Sequence, residues 1–142
     1  MKRHLRGVTL IELMIVIVVV AILASVALPS YRRYMMRTNR TDATAALLQL
    51  RIAQEKFFLQ NDTYATTTAQ VLAAPPGGLG IPSPTANGYY TISLQAGASP
   101  TSYTAQAAPA GGQVADTQCT LLTINESGVR NSTPSPITTC WR

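Results

Sequence analysis

Few residues in this sequence have types and spacings that could support chemistry. The only histidine is His4, and the sequence contains no nucleophile motif, phosphate-binding glycine loop or acidic metal-binding cluster. We therefore expect no enzyme, no cofactor and no metal site. The remaining candidates are Glu12, the cysteines Cys119 and Cys140, and a group of arginines near Arg37.

Glu12 is the only charged residue in the apolar run from Val8 to Leu28. At ~1.5 Å per residue, a helix of this length is about as long as a bilayer core is thick. A carboxylate deep in hydrocarbon costs at least ~2.5 kcal/mol, so Glu12 needs a partner. A cut between Gly7 and Val8 would provide one, because the new amine would lie within one helical turn of Glu12, in the same chain or a neighbour.

Two simpler interpretations of the run remain open. It could be an ordinary secretory signal with residues 25–27 as its small-residue cleavage site, although Glu12 argues against that. It could also be a plain single-span anchor whose carboxylate lies near the membrane interface and the positive end of the helix. Charge does not settle the topology, because basic residues flank both ends of the run: Lys2, Arg3 and Arg6 on one side, and Arg32, Arg33, Arg37 and Arg40 on the other.

The short basic start, residues 7–12 (Gly-Val-Thr-Leu-Ile-Glu) and the apolar run together resemble the class III signal of type IV pilins and type II secretion pseudopilins. The resemblance implies that a prepilin peptidase cuts after Gly7 and methylates Val8. It also implies that Glu12 meets the amine of a neighbouring subunit during filament assembly. The mature chain would begin with Val8, where most members of the family begin with Phe.

The two cysteines lie near the C-terminus. An even number of cysteines in a chain that crosses a membrane favours a Cys119–Cys140 disulfide. Closing a loop of that size stabilises a fold by roughly 3 kcal/mol in the chain-entropy model. Two free thiols and half of a metal site are the alternatives.

The apolar run is followed by Pro29, which predicts a kink, and then by a helix to Gln60 that contains no glycine or proline. One of two apolar stripes on this helix must meet the following domain; the stripes are Ala45, Leu48 and Ile52, and Leu47, Leu50, Gln54, Phe57 and Phe58. Arg33, Arg37 and Arg40 share a helical face beside Arg32. This face could contact phosphate, but a solvated or subunit-pairing surface is the simpler interpretation.

The second half of the chain predicts strands and loops. Residues 61–64 offer a helix stop, and regular structure is not expected in the connection rich in Pro and Gly at 65–88. Alternating residues predict strands at 88–95, 102–107 and 119–124, with a short fourth strand at 129–131. This half resembles minor pilins more than major pilins, in the strand around Cys119, the segment 121–128 and the closing residues 140–142.

Together these features predict an α+β fold, with a long, kinked N-terminal helix packed on a small antiparallel sheet. We expect a leader at 1–7, an apolar membrane and assembly segment at 8–29, an amphipathic helical half at 30–60, and a loop, sheet and disulfide region at 61–142.

The resemblance implies a pilin-like structural subunit, minor rather than bulk, that serves pilus biogenesis, twitching motility, adhesion or DNA uptake. The expected partners are other pilin subunits, prepilin peptidase, the inner-membrane pilus assembly machinery and, before assembly, inner-membrane lipid. The chain would cross the inner membrane once, with a periplasmic C-terminal domain, and then enter the filament. The alternatives are a type II secretion pseudopilin and a DNA-binding competence pilin, DNA being the least favoured partner.

Overall fold

The computed structural model describes residues 8–141. Its first element is the helix α1, Leu10–Asn61. Glycine is absent from this stretch, and the backbone N–H of Glu12 donates to the Thr9 hydroxyl at 3.3 Å, which caps the start of the helix. The helix ends as expected: Asp62 has a φ of 56°, and its N–H donates to the Phe58 carbonyl at 2.8 Å.

The chain divides into two compact units, Met1–Met35 and Met36–Arg142. In the first, the described residues form the apolar part of α1. The second contains the rest of α1, followed by α2 (Thr68–Leu72), β1 (Tyr90–Leu94), β2 (Thr104–Pro109), a 3₁₀ helix (Gly111–Ala115), β3 (Cys119–Asn125), β4 (Arg130–Pro134) and α3 (Ile137–Cys140).

The four strands form an antiparallel sheet in the order β1-β2-β3-β4. One face is apolar because the strands alternate: Ile92 pairs with Ala107, and Ala107 pairs with Leu122. The small alanines of β2 lie between larger side chains of β1 and β3, which leaves space above them for helix side chains. The α+β fold with a small antiparallel sheet is therefore confirmed.

The core of the second unit lies between this face and one stripe of α1. Leu47, Leu50, Gln54 and Phe57 are buried, whereas Ile52 is 70% exposed. Of the two stripes suggested by the sequence, the second therefore meets the sheet. Gln54 fits this apolar surface because its amide exchanges two hydrogen bonds with the backbone of Ala65.

One expectation about the connection at 65–88 was wrong. It contains α2, which begins with a capping box: the Thr67 hydroxyl accepts from the Gln70 N–H, and the Gln70 side chain accepts from the Thr67 N–H. This reciprocal capping offsets part of the cost of nucleating so short a helix. The predicted fourth strand exists but is longer, and Pro134 ends it at the sheet edge, where a missing N–H is tolerated.

Candidate functional site

The apolar part of α1 is suited to a nonaqueous environment. One 18-residue window of this helix has a mean hydropathy of 3.0, with none of the window buried inside the structure. Leu13, Val16 and Val20 are each more than half exposed, as are most of their apolar neighbours. By length and composition the segment can cross a membrane, or it can pack against other helices.

Glu12 lies in the first turn of this helix. No cationic group lies within 4.0 Å of its carboxylate among residues 8–141, where the one ion pair is Arg40–Asp116. The positive end of the helix dipole favours a carboxylate there but does not neutralise it. Among residues 8–141, the Glu12 carboxylate is thus left without a cationic partner.

Two further predictions, the processing site at Gly7 and Val8 and the helix kink at Pro29, are not tested by the structure. Gly7 lies outside the described residues, and Val8 precedes the helix with 70% of its surface exposed. Cleavage after Gly7 and methylation of Val8 therefore remain predictions. Pro29 lies inside α1, where it removes one backbone donor, and the bend at this position also stays a prediction.

Arg40 corrects the prediction of an exposed arginine face. The side chain is buried, and its Nε and Nη2 donate to the two Asp116 oxygens at 2.7 Å each. Further bonds run to the Thr139 carbonyl and the Gln118 side chain, both at 3.2 Å. The forked guanidinium therefore ties α1 to the segment before β3 and to α3, and it is not a free surface charge.

Gln113 extends this buried network. Its side-chain amide lies 2.9 Å from the Met36 carbonyl and 3.1 Å from the Tyr90 hydroxyl. Burial raises the pKa of Tyr90 to about 12, because the phenolate form would lose its hydration. The network thus joins α1, the sheet and the 3₁₀ helix through satisfied polar groups.

The disulfide Cys119–Cys140 is present, which confirms the prediction, and no described cysteine is free. It links the start of β3 to the last residue of α3. Both residues are fully buried. The disulfide therefore fixes the C-terminal segment that also contacts Arg40 through Thr139.

The outer face of the sheet carries uncharged polar side chains. One row crosses all four strands through Ser93, Gln106, Thr123 and Asn131, which are register partners in turn. An open cavity of about 280 Å³ lies on this face, which we call the polar sheet face; its lining residues are Gln95, Thr104, Leu121, Thr123, Asn125, Val129, Asn131 and Thr133. Amides and hydroxyls of this kind can both donate and accept hydrogen bonds.

A cation and an aromatic ring lie together at the edge of the sheet. The Arg130 guanidinium carbon lies 5.2 Å from the centre of the Trp141 ring, and the Trp141 indole donates to the Asn131 carbonyl at 2.9 Å. Arg130 is exposed. Trp141 thus covers part of edge strand β4.

Two carboxylates on α1 have hydrogen-bond partners in the second unit. Asp42 accepts hydrogen bonds from Thr85 and Asn87, and Glu55 accepts from the Tyr64 hydroxyl at 3.3 Å. Within the described residues, no group of three or more His, Cys, Asp or Glu could hold a metal ion. Long-range pairs such as Arg40–Asp116, 76 residues apart, leave no local signal in a single sequence.

The fold and the apolar helix identify the class of protein. The chain can be superimposed on a type IV pilin from Shewanella oneidensis with a TM-score of 0.51 and 26% identity, over 75% of this chain and 98% of that one. The non-core minor pilin PilV of Neisseria meningitidis gives a TM-score of 0.51 with 21% identity, over 70% and 88% of the two chains, and supports the fold alone. The chain has the type IV pilin fold.

The family follows from the sequence matches. Residues 29–123 match the family described as type IV minor pilin ComP, DNA uptake sequence receptor, and residues 2–28 match the prokaryotic N-terminal methylation motif. The chain therefore belongs to the type IV minor pilin ComP family. The major pilin PilA of Myxococcus xanthus (strain DK1622) is 35% identical over 73 residues, which are 51% of this chain. The matched part spans 33% of that relative's length.

Proposed function

We propose that this chain is a minor subunit of a type IV pilus that is stored in the inner membrane and assembles through its apolar helix. The observation that carries the proposal is Glu12, which lies in the first turn of a membrane-length apolar helix with no cationic partner in residues 8–141. A carboxylate left unpaired in hydrocarbon is costly, so a partner outside these residues is required.

The partner we propose is the amine that prepilin peptidase exposes at Val8 when it cuts after Gly7. The match of residues 2–28 to the methylation motif supports this processing. The exposed apolar side chains of α1 then exchange lipid for the helices of other pilin subunits, under the control of the inner-membrane assembly machinery. With the leader on the cytoplasmic side, the second unit lies in the periplasm before it enters the filament.

An intact-mass measurement on the chain purified from membranes tests this processing. We expect a polypeptide that begins at Val8, carries one added methyl group and contains one disulfide. A chain that begins at Met1 would contradict peptidase cleavage. A chain that begins after residue 27 would instead identify an ordinary secretory signal.

A second function, reception of DNA, is favoured by one observation: the matched family is described as a DNA uptake sequence receptor. We propose that the polar sheet face and the Arg130–Trp141 pair form the DNA contact. Amides such as those of Asn125 and Asn131 suit base edges or sugar and phosphate oxygens, and an Arg beside an aromatic ring suits phosphate and stacking. Few basic side chains lie here, so we expect a shallow salt dependence.

Fluorescence anisotropy of a labelled duplex with the full-length chain in detergent tests the DNA proposal. We expect Arg130→Gln to weaken binding and to lower the slope of log affinity against log salt by about 0.9, the value for one lost phosphate contact. Lys56→Gln, an exposed charge on α1, serves as the matched control. Equal losses in both variants, or no binding at low salt, would contradict this surface.

A further inference from the structure

A small polar pocket in the second unit has no role in the functions described above. It has a volume of about 250 Å³, and its lining residues are Arg37, Arg40, Gln118, Thr139 and Cys140. Two arginines thus line one cavity. Gln118 and Thr139 complete its polar lining.

The two arginines differ in their charge balance. Arg40 is buried and neutralised by Asp116, and four of its five N–H groups, the one on Nε, both on Nη2 and one on Nη1, donate hydrogen bonds. Arg37 is exposed, with no carboxylate within 4.0 Å among residues 8–141. Counting only residues 8–141, the pocket therefore has about one uncompensated positive charge and several donors.

This balance selects the chemistry of a ligand. A phosphate diester has one negative charge and several acceptor oxygens, which match one free cation beside Arg40 in a polar lining. A cation would be repelled by Arg37. A ligand with two negative charges would leave one of them unmatched, because Asp116 already neutralises Arg40.

The position of Arg37 along α1 indicates where such a phosphate comes from. The apolar run ends at Leu28 and is followed by two exposed tyrosines, Tyr31 and Tyr34, at 63% and 65%. Tyrosines are enriched at the interface between hydrocarbon and water. Arg37 follows Leu28 by nine residues, roughly 13 Å along the helix at ~1.5 Å per residue, so its backbone lies beyond the headgroup layer and its long side chain can reach back to the headgroups.

We propose that the Arg37–Arg40 pocket binds the headgroup phosphate of an anionic phospholipid while the subunit is stored in the membrane. The inference rests on the membrane anchoring described under the proposed function. Lipid at this pocket holds the second unit at the membrane surface, and the contact is lost when the subunit leaves the bilayer for the filament.

The test is a native mass spectrometry titration of the full chain, purified from membranes in detergent. Phosphatidylglycerol and phosphatidylcholine with identical acyl chains are the probes, and inorganic phosphate and a short DNA duplex are added as competitors. The variants are Arg37→Gln, Arg37→Lys and the matched control Arg32→Gln, which makes the same charge change outside the pocket.

We expect the wild-type chain to retain phosphatidylglycerol in preference to phosphatidylcholine. Arg37→Gln should lower that affinity by about tenfold, because it removes charge-assisted hydrogen bonds as well as charge. Arg32→Gln should lower it by no more than about fivefold, the value of one basic residue near a charged surface. The affinity of Arg37→Lys should lie between those of the other two variants, since lysine keeps the charge but lacks the forked guanidinium.

Equal losses of phosphatidylglycerol affinity in Arg37→Gln and Arg32→Gln would contradict binding in the pocket. They would show that the basic surface attracts the lipid in general. If millimolar inorganic phosphate displaces the lipid, the pocket binds phosphate in general, and the proposal of a lipid headgroup is contradicted. A duplex that binds with dependence on Arg37 while phosphatidylglycerol does not would assign the pocket to DNA instead. The titration needs no filament, so its failure is distinct from a failure of assembly.

Discussion

At the scale of single residues, the buried pair Arg40–Asp116 decides how the C-terminal segment is held. Both side chains are at most 5% exposed, and the guanidinium also bonds the Thr139 carbonyl and the Gln118 amide. The two charges are costly to bury alone, because neither would be hydrated. The pair therefore acts as a specific lock between α1 and the residues on either side of the disulfide.

We predict that Asp116→Asn lowers the free energy of unfolding of the second unit by about 3–5 kcal/mol, because it leaves the Arg40 charge buried and uncompensated. Denaturant unfolding of the full chain in detergent measures the change. Asp62→Asn, an exposed carboxylate after α1, should change stability by less than about 0.5 kcal/mol. Similar stabilities for the two variants would contradict the role of the pair.

Two buried tyrosines should respond in opposite ways to loss of the hydroxyl. The Tyr103 hydroxyl is buried with no hydrogen-bond partner in the described structure, whereas the Tyr90 hydroxyl lies 3.1 Å from the Gln113 amide. We predict that Tyr103→Phe stabilises the fold by about 1 kcal/mol and that Tyr90→Phe destabilises it by about 1 kcal/mol. Thermal unfolding of the two variants measures both, and a stabilised Tyr90→Phe chain would contradict the assigned contact.

The same tyrosines predict instability in alkali. Burial raises the pKa of Tyr90 from 10.0 to about 12, and it raises the pKa of Tyr103 as well. The folded state therefore holds these protons more tightly than the unfolded chain, so stability is full below pH 10 and falls as pH rises toward 12. Unfolding measured between these pH values should show a smaller decline in Tyr103→Phe; an equal decline would contradict the assignment.

At the scale of elements, local patterns predicted most of the fold. Alternation placed the strands, and the Asn61–Asp62 stop placed the end of α1. The capping box of α2 was overlooked, although Thr67 and Gln70 stand at the required spacing in the sequence. Which stripe of α1 is buried could not be predicted, because both stripes are apolar and the choice depends on the sheet.

The β3–β4 turn offers a test of packing between elements. Gly128 has a φ of 79°, and a Cβ there would lie 3.0 Å from the Arg51 guanidinium, whereas Gly88 has a φ of 73° and open space around it. We predict that Gly128→Ala costs about 1 kcal/mol more than Gly88→Ala, because both strain the backbone but only one displaces Arg51. Denaturant unfolding compares them.

Arg51→Ala supplies the control for that comparison. In the Arg51→Ala background, Gly128→Ala and Gly88→Ala should lower the free energy of unfolding by similar amounts, because the contact with Arg51 is gone. An undiminished difference would mean that the extra cost at Gly128 arises elsewhere in the turn.

At the scale of the whole molecule, the chain combines a membrane-length apolar helix segment with a disulfide-closed α+β unit. Membership of the type IV minor pilin ComP family accounts for both parts. The sequence pointed to Glu12 as a candidate residue because one charge in an apolar run is visible without a structure. It could not reveal the polar sheet face or the Arg37–Arg40 pocket, which bring together residues from distant parts of the chain.

We propose that Glu12 drives incorporation into a filament by meeting a processed amino terminus. The measurement is the amount of Glu12→Gln subunit in sheared pili relative to the amount in the membrane, with Asp62→Asn as the control. We predict unchanged membrane levels and a loss from pili of about tenfold or more, equivalent to at least ~1.4 kcal/mol of lost pairing. Glu12→Gln subunits present in pili at the control level would contradict the account.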